Sequence, residues 1–274
     1  MILKRLLLLI PVLIGVTFLV LGVATWFWVR NTPEEVGLYP DNQKPTESEL
    51  AETAARKAKM AAFKSAWTWS DLFKRKEAWI ILFFGGFGLL ATTGAAISNR
   101  PFWLEMGLSD SAFLIYLQFS SLVCILGSLF TGAIDTKWGP RVSSLVYAIV
   151  ASLAFGLVPL LWLFGITLPT AVVLATMLMA SAMLGATSNL IPSLVASVFG
   201  RMDFAECFRK IYMGCFLLRS LCYLAVGPGV KLLGSYGNVR LFFGVLFAIC
   251  AIMVAFINDK KLLKAPKATE DPYL

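Results

Sequence analysis

The chain contains no histidine. That removes the commonest proton shuttle, general base and zinc ligand. Its cysteines, Cys124, Cys207, Cys215, Cys222 and Cys250, form no C-x-x-C pair. They read as small apolar helix residues, and no metal site is expected of them. Charge is scarce: 15% of the residues carry it, against about a quarter in a soluble domain. Within the apolar runs there is no Asp or Glu at all. With no intramembrane carboxylate pair and no recognisable nucleophile–base pair, the chain is not read as an enzyme. No cofactor is expected either.

Apolar residues fill the space the charges leave. They make up 58% of the 274 residues, and the mean hydropathy is +0.78. A soluble protein of this size could not bury so much apolar surface, because its skin must meet water. Lipid removes that conflict. A helix needs about 20 apolar residues to cross the hydrocarbon core. Seven stretches qualify: Leu6–Val29, Ala78–Ser98, Ala112–Ile134, Val142–Phe164, Thr170–Val198, Ile211–Leu233 and Arg240–Ile257. They are too long for strands and do not alternate. The fold class is therefore an all-α membrane protein, a multi-span helical bundle. Gly85, Gly86 and Gly88 favour close helix packing, and Gly227-Pro-Gly229 should bend or end the sixth span.

The net charge of +8 sits between the spans. Basic residues on that pattern face the cytoplasm and anionic headgroups, so membrane lipid is an expected partner and nucleic acid is not. Arg56, Lys57, Lys59, Lys74, Arg75, Lys76, Lys137, Arg141, Arg201, Arg209, Lys210 and the tail lysines share one side; Arg100, Lys231 and Arg240 lie on the other, with Lys4 and Arg5. The expectation is a multi-pass protein of the plasma (inner) membrane with its C-terminus in the cytoplasm. Lys4 and Arg5 dispute that orientation, and a missing upstream segment would resolve the conflict. Residues 1–30 form the first span, 31–77 a cytoplasmic linker, 78–258 a six-helix transmembrane bundle and 259–274 a cytoplasmic tail. Thr46 and Glu49 have capping-box spacing, predicting a surface helix toward Lys64. Trp67, Trp69, Phe73 and Trp79 alternate with basic residues and suit the headgroup layer, a calmodulin-type partner helix being the competing reading.

Arg219 is the most informative position. It follows Arg209 by ten residues, about 15 Å up a helix, which puts it near the bilayer midplane. A cation there costs at least a few kcal/mol and should face a cavity or a partner. Its guanidinium could grip a carboxylate with two bonds; the alternative is a structural pair with helix carbonyls. Asn189 and Gln118 are further polar candidates for the solute, while Thr92 and Thr93 read as helix-to-helix bonds. No group within the spans titrates near neutral pH, so proton coupling would have to come from elsewhere.

Several segments carry a family resemblance. Arg30-Asn-Thr-Pro-Glu-Glu-Val-Gly-Leu-Tyr-Pro-Asp41 resembles the exit from the sixth span of major facilitator superfamily transporters, and Trp67–Trp79 resembles the entry to their seventh. Leu104–Ser111 resembles the external loop before span eight, Gly132–Arg141 the short basic loop after it, Pro192–Arg201 the exit from span ten, and Gly234-Ser-Tyr236 the lead-in to span twelve. The chain is thus similar to spans six to twelve, the C-terminal half with one preceding span. The Pro-Glu-Glu-Val-Gly-Leu-Tyr-Pro and Gly-Pro-Arg runs are similar to oxalate/formate-antiporter-like and monocarboxylate-transporter-like members. In the basic loop the family's glycine falls one residue late, at Gly132, with Thr131 in its usual place.

The resemblance implies a secondary active transporter, or the C-terminal portion of one. Such proteins move a small solute by alternating access, and Arg219 points to an organic anion. The resemblance also makes Asp135, Lys137 and Arg141 a conformational latch on the cytoplasmic side; a plain positive-inside turn is the alternative. An N-terminal half would be a partner. The competing function is a truncated or split half that acts as an interaction or regulatory membrane protein without transport of its own.

Overall fold

The computed structural model describes residues 16–28, 46, 48, 51–55, 58, 63–259 and 262–266. The Arg30–Asp41 motif, Glu49 and residues 1–15 lie outside the described residues, as do Lys260, Lys261 and residues 267–274. The chain divides into two units, Met1–Ala62 and Phe63–Leu274. The first contains α1 (Val16–Trp28) and a helical stretch α2 (residues 51–55). On α1 the apolar side chains are open, Phe18 at 71% and Trp26 at 83%.

The second unit holds the core. Its elements are α3 (Trp69–Phe73), α4 (Lys76–Glu105), α5 (Asp110–Trp138), α6 (Pro140–Leu163), α7 (Thr170–Ser220), α8 (Cys222–Val226), α9 (Pro228–Leu233) and α10 (Tyr236–Ala255). No strand occurs among the described residues. Helices α4, α5, α6, α10 and the α7–α8 run Thr170–Val226 are long and apolar enough to cross a membrane.

Local chemistry sets the helix ends. Ser109 caps α5 by accepting from the backbone of Ala112, and Ser235 caps α10 by accepting from Asn238. Gly139 (φ 89°) turns the chain between α5 and α6, and Pro140 starts α6 with its fixed φ. The long run α7 hides a break at Gly200, whose φ of 81° and ψ of 165° no L side chain adopts readily. Two arms result, residues 170–199 and 201–220. The first matches the fifth span expected from the sequence; the second begins ten residues before the expected start of the sixth at Ile211, because residues 201–210 are helical rather than a loop. The chain bends at Gly227 (ψ −91°) before Pro228 opens α9, in keeping with the Gly-Pro-Gly spacing.

Helix α4 runs down the middle. Its most apolar stretch is 72% buried, against 17% for α5, which leaves Leu114, Ile125 and Leu129 exposed. Glycines let the helices touch. A Cβ on Gly86 would stand 2.4 Å from Leu218 and one on Gly85 2.9 Å from Cys215. The tightest approaches are elsewhere: a Cβ on Gly127 would sit 2.1 Å from the Ala182 carbonyl oxygen, and one on Gly185 2.4 Å from that of Cys124. The α5–α7 seam is therefore a backbone-to-backbone contact of the small-residue kind.

One aromatic departs from the headgroup reading. Trp69 and Trp79 are about half exposed, but Trp67 is 2% exposed and lies edge-on to Phe199 at 5.3 Å. The segment around it is docked on the elbow of α7: Lys210 donates to the Trp67 carbonyl, and Ser65 to the Asp203 carboxylate. Asp203 and Lys210 are both buried there. On the same elbow the tail residue Leu263 donates its N–H to the Val198 carbonyl at 2.8 Å, satisfying an orphan acceptor at the end of the first arm.

Candidate solute-binding site

A groove of about 420 Å³ opens between α4, α5 and the first arm of α7. Asn99 and Arg100 line it from α4, Tyr116, Ser121 and Cys124 from α5, and Ser181 from α7. These polar groups project from otherwise apolar helices, where each needs a partner. Arg100 meets Asp110 at 3.3 Å at the exposed mouth. A second cavity, of about 60 Å³ between Leu108, Val158, Trp162 and Val173, holds no charged side chain.

Behind the groove lies a chain of hydrogen bonds that ties four helices. Arg240 donates through Nη1 to Asn99 Oδ1 at 2.8 Å. Asn99 Nδ2 donates to the Tyr116 hydroxyl at 2.8 Å. Tyr116 and Ser181 share a hydrogen bond at 2.9 Å, and Ser181 donates to the Met177 carbonyl at 3.1 Å. Arg240 is 2% exposed and lies between the rings of Phe102 (4.8 Å) and Phe155 (5.1 Å). Cation–π contacts of this kind partly replace the lost water. No ion pair among the described residues involves Arg240, and its Nη2 has no hydrogen-bond partner.

The sequence places Arg240 at the outer edge of its span and does not single out Asn99, Tyr116 or Ser181. A signal was there. Ser235 is an N-cap, so α10 begins at Tyr236 and Arg240 already lies about 6 Å into the helix. Glu105 reinforces that start by accepting from the Gly237 N–H at 2.9 Å, a carboxylate on a helix N-terminus.

Arg219 comes from the second arm of α7. It is partly buried; its Nε donates to Thr93 Oγ1 at 3.1 Å, and its guanidinium lies 5.6 Å from the ring of Phe216. None of the ion pairs among the described residues involves it. Thr93 shares a face of α4 with Ala96 and Arg100, three and seven residues on, and both of those line the groove. Thr92 instead turns its hydroxyl onto the Gly88 carbonyl of its own helix.

Of the other candidates, Asn189 and Asp135 belong to the α5–α7 seam, and none lines the groove. Asn189 is exposed and donates to Ser128 Oγ at 2.6 Å. Gln118 is exposed on α5. Asp135 accepts from Ser193 at 2.6 Å, and its other oxygen is buried without a partner. Lys137 lies over the Trp138 ring at 4.8 Å, and Arg141 donates to the Ala255 carbonyl at 2.5 Å. These three charged side chains do not meet one another in this conformation. Ser181, Gly185, Asn189 and Ser193, four residues apart, form one stripe of α7 that meets Tyr116, Cys124, Ser128 and Asp135 of α5 in turn.

Among families of known proteins, residues 7–208 match the Major Facilitator Superfamily. No curated protein and no solved structure matches the chain significantly. With the match spanning more than half of its length and the helices in place, the chain belongs to the Major Facilitator Superfamily and is a membrane transporter of that type.

Proposed function

We propose that the chain is a secondary active transporter, or the C-terminal portion of one, that moves a small organic anion by alternating access. The observation that carries the anion is Arg219. A guanidinium held inside an apolar helix by one threonine hydroxyl keeps most of its fork free for a carboxylate. Thr93 beneath it shares the helix face that lines the groove. A carboxylate bound there would favour whichever conformation brings more donors onto it, and that differential affinity is what shifts a two-state equilibrium. Asn189 would contact the solute from the seam and Gln118 from α5. Asp135, whose second oxygen lacks a partner, would take a base when the cytoplasmic ends rearrange, with Lys137 and Arg141 nearby in sequence. The oxalate/formate-like and monocarboxylate-like motifs favour carboxylates as the solute class.

The test uses a cysteine already in the groove. Cys124 is half-buried there, while Cys207, Cys215, Cys222 and Cys250 are buried. A water-soluble maleimide should label Cys124 in the chain reconstituted in liposomes, and hexanoate, a monocarboxylate, should slow that labelling. In Arg219→Gln the concentration of hexanoate needed for protection should rise about 100-fold, the loss of a charge-assisted pair. Equal protection in both proteins would overturn the assignment. Protection without uptake into the same liposomes would favour the split-half reading, in which a partner half completes the transporter.

A further inference from the structure

The hydrogen-bond chain behind the groove has a direction, and Arg240 sets it. An arginine can only donate, so the Asn99 oxygen must face it and the Asn99 amide nitrogen must face away, toward Tyr116. The Tyr116 oxygen accepts that bond, and its one hydrogen is left for Ser181. Ser181 gives its own hydrogen to the Met177 carbonyl. Beyond Arg240, whose Nη2 has no partner, every proton in the chain is thereby assigned from one end, except one. The second Nδ2 hydrogen of Asn99 has no acceptor among the described residues, and Asn99 lines the groove.

Stability alone does not account for Arg240. A buried cation without a carboxylate is destabilising unless water or a partner replaces its hydration, and apolar residues of similar volume commonly do as well or better. Here the partners are one amide oxygen and two ring faces. A group of that kind is retained where it organises its neighbours.

We infer that Arg240 is a positioning residue for solute recognition: it holds Asn99 so that an amide N–H points a fixed donor into the groove. This rests on the anion reading given above and names the solute more closely. Thr93, which meets Arg219, and Asn99 are six residues apart on α4, a rise of about 9 Å. A solute that answers both donors carries a carboxylate at one end and a second hydrogen-bond acceptor several carbons away. Adipate fits that description. Hexanoate matches it in length and lacks the second acceptor.

Protection of Cys124 from maleimide reads both. In the unchanged chain adipate should protect at a concentration about tenfold lower than hexanoate, the worth of one charge-assisted hydrogen bond. Asn99→Asp is the sharpest variant. Its carboxylate can accept from both Arg240 and Tyr116, at the cost of one bond further along, because the single Tyr116 hydrogen then no longer reaches Ser181 unless Ser181 turns from the Met177 carbonyl; the groove loses its N–H and gains a repelling oxygen. The preference for adipate should vanish or reverse. Arg240→Met, which touches no solute, should also erase the preference by freeing the Asn99 amide to turn over, and Arg240→Lys should restore part of it. An adipate-to-hexanoate ratio that survives Asn99→Asp and Arg240→Met in folded protein would overturn the inference. So would a ratio of one in the unchanged chain. If hexanoate protects and Arg219→Gln abolishes that protection, the anion reading stands even when this one falls. If neither acid protects the unchanged chain, both fall together.

Discussion

Arg240 and Arg219 are both cations inside apolar helices, and the protein houses them differently. Arg240 is 2% exposed, flanked by two phenylalanines and bonded to an amide whose other end is bonded in turn. Arg219 is only partly buried, with one threonine and one phenylalanine ring for company. A guanidinium enclosed on both faces can influence a solute only by fixing other side chains. One that keeps part of its fork open can meet a carboxylate itself. The difference separates a residue that prepares the site from a residue that binds.

That comparison can be strained from outside both arginines. The largest effect is expected at Gly127. A methyl there would overlap the Ala182 carbonyl, since its Cβ would stand 2.1 Å from that oxygen. Gly127→Ala should force α5 away from α7 and lower stability by about 1–3 kcal/mol, measured by thermal unfolding in detergent. The shift pulls Tyr116 from Ser181 but spares Thr93 and Arg219, which belong to α4 and α7. Adipate preference should therefore be lost at temperatures where the variant is still folded, with hexanoate protection retained. Loss of both together would mean that the two arginines are not separable.

Tyr116→Phe is milder. It removes the hydroxyl that accepts from Asn99 and meets Ser181, at a cost of about 1 kcal/mol. The adipate preference should fall by less than in Asn99→Asp, because Arg240 still holds the amide oxygen. The smallest effect is expected for Thr93→Val. Arg219 would lose its one described hydrogen bond, worth about 0.6 kcal/mol in a membrane helix bundle. Hexanoate protection should shift by at most about threefold. A large loss would show that Thr93, rather than Arg219, carries the grip.

Much of the architecture is legible because it depends on local rules. Apolar run length gives the helices and Gly227-Pro-Gly229 gives the bend; the starts at Ser109 and Ser235 lie a few residues before the expected Ala112 and Arg240. That Arg219 lies well inside a helix follows from counting residues. What periodicity cannot give is the neighbour across a seam. The reading of Trp67 as a headgroup aromatic fails for that reason: its burial depends on Lys210 and Phe199, more than a hundred residues away. Arg240 was legible only as a charge near a membrane edge, because Asn99, Phe102 and Phe155 come to it from two other helices. The stripe of Ser181, Gly185, Asn189 and Ser193 was visible as a four-residue spacing, but its meaning needed α5 opposite. The break at Gly200 is a case between these. The sequence reading ends the fifth span at Val198, and the positive φ of Gly200 shows how the chain turns just beyond it.

The central claim is that this transporter recognises an anion through Arg219, whose partner Thr93 shares the face of α4 that lines the groove beside Cys124. The most direct measurement compares hexanoate with hexanamide, its neutral analogue of the same length, as protectants of Cys124 in the unchanged chain and in Arg219→Gln. The account predicts that hexanoate protects and hexanamide does not, and that Arg219→Gln removes the distinction. Equal protection by the two in the unchanged chain, or a charge preference that persists in Arg219→Gln, would contradict it.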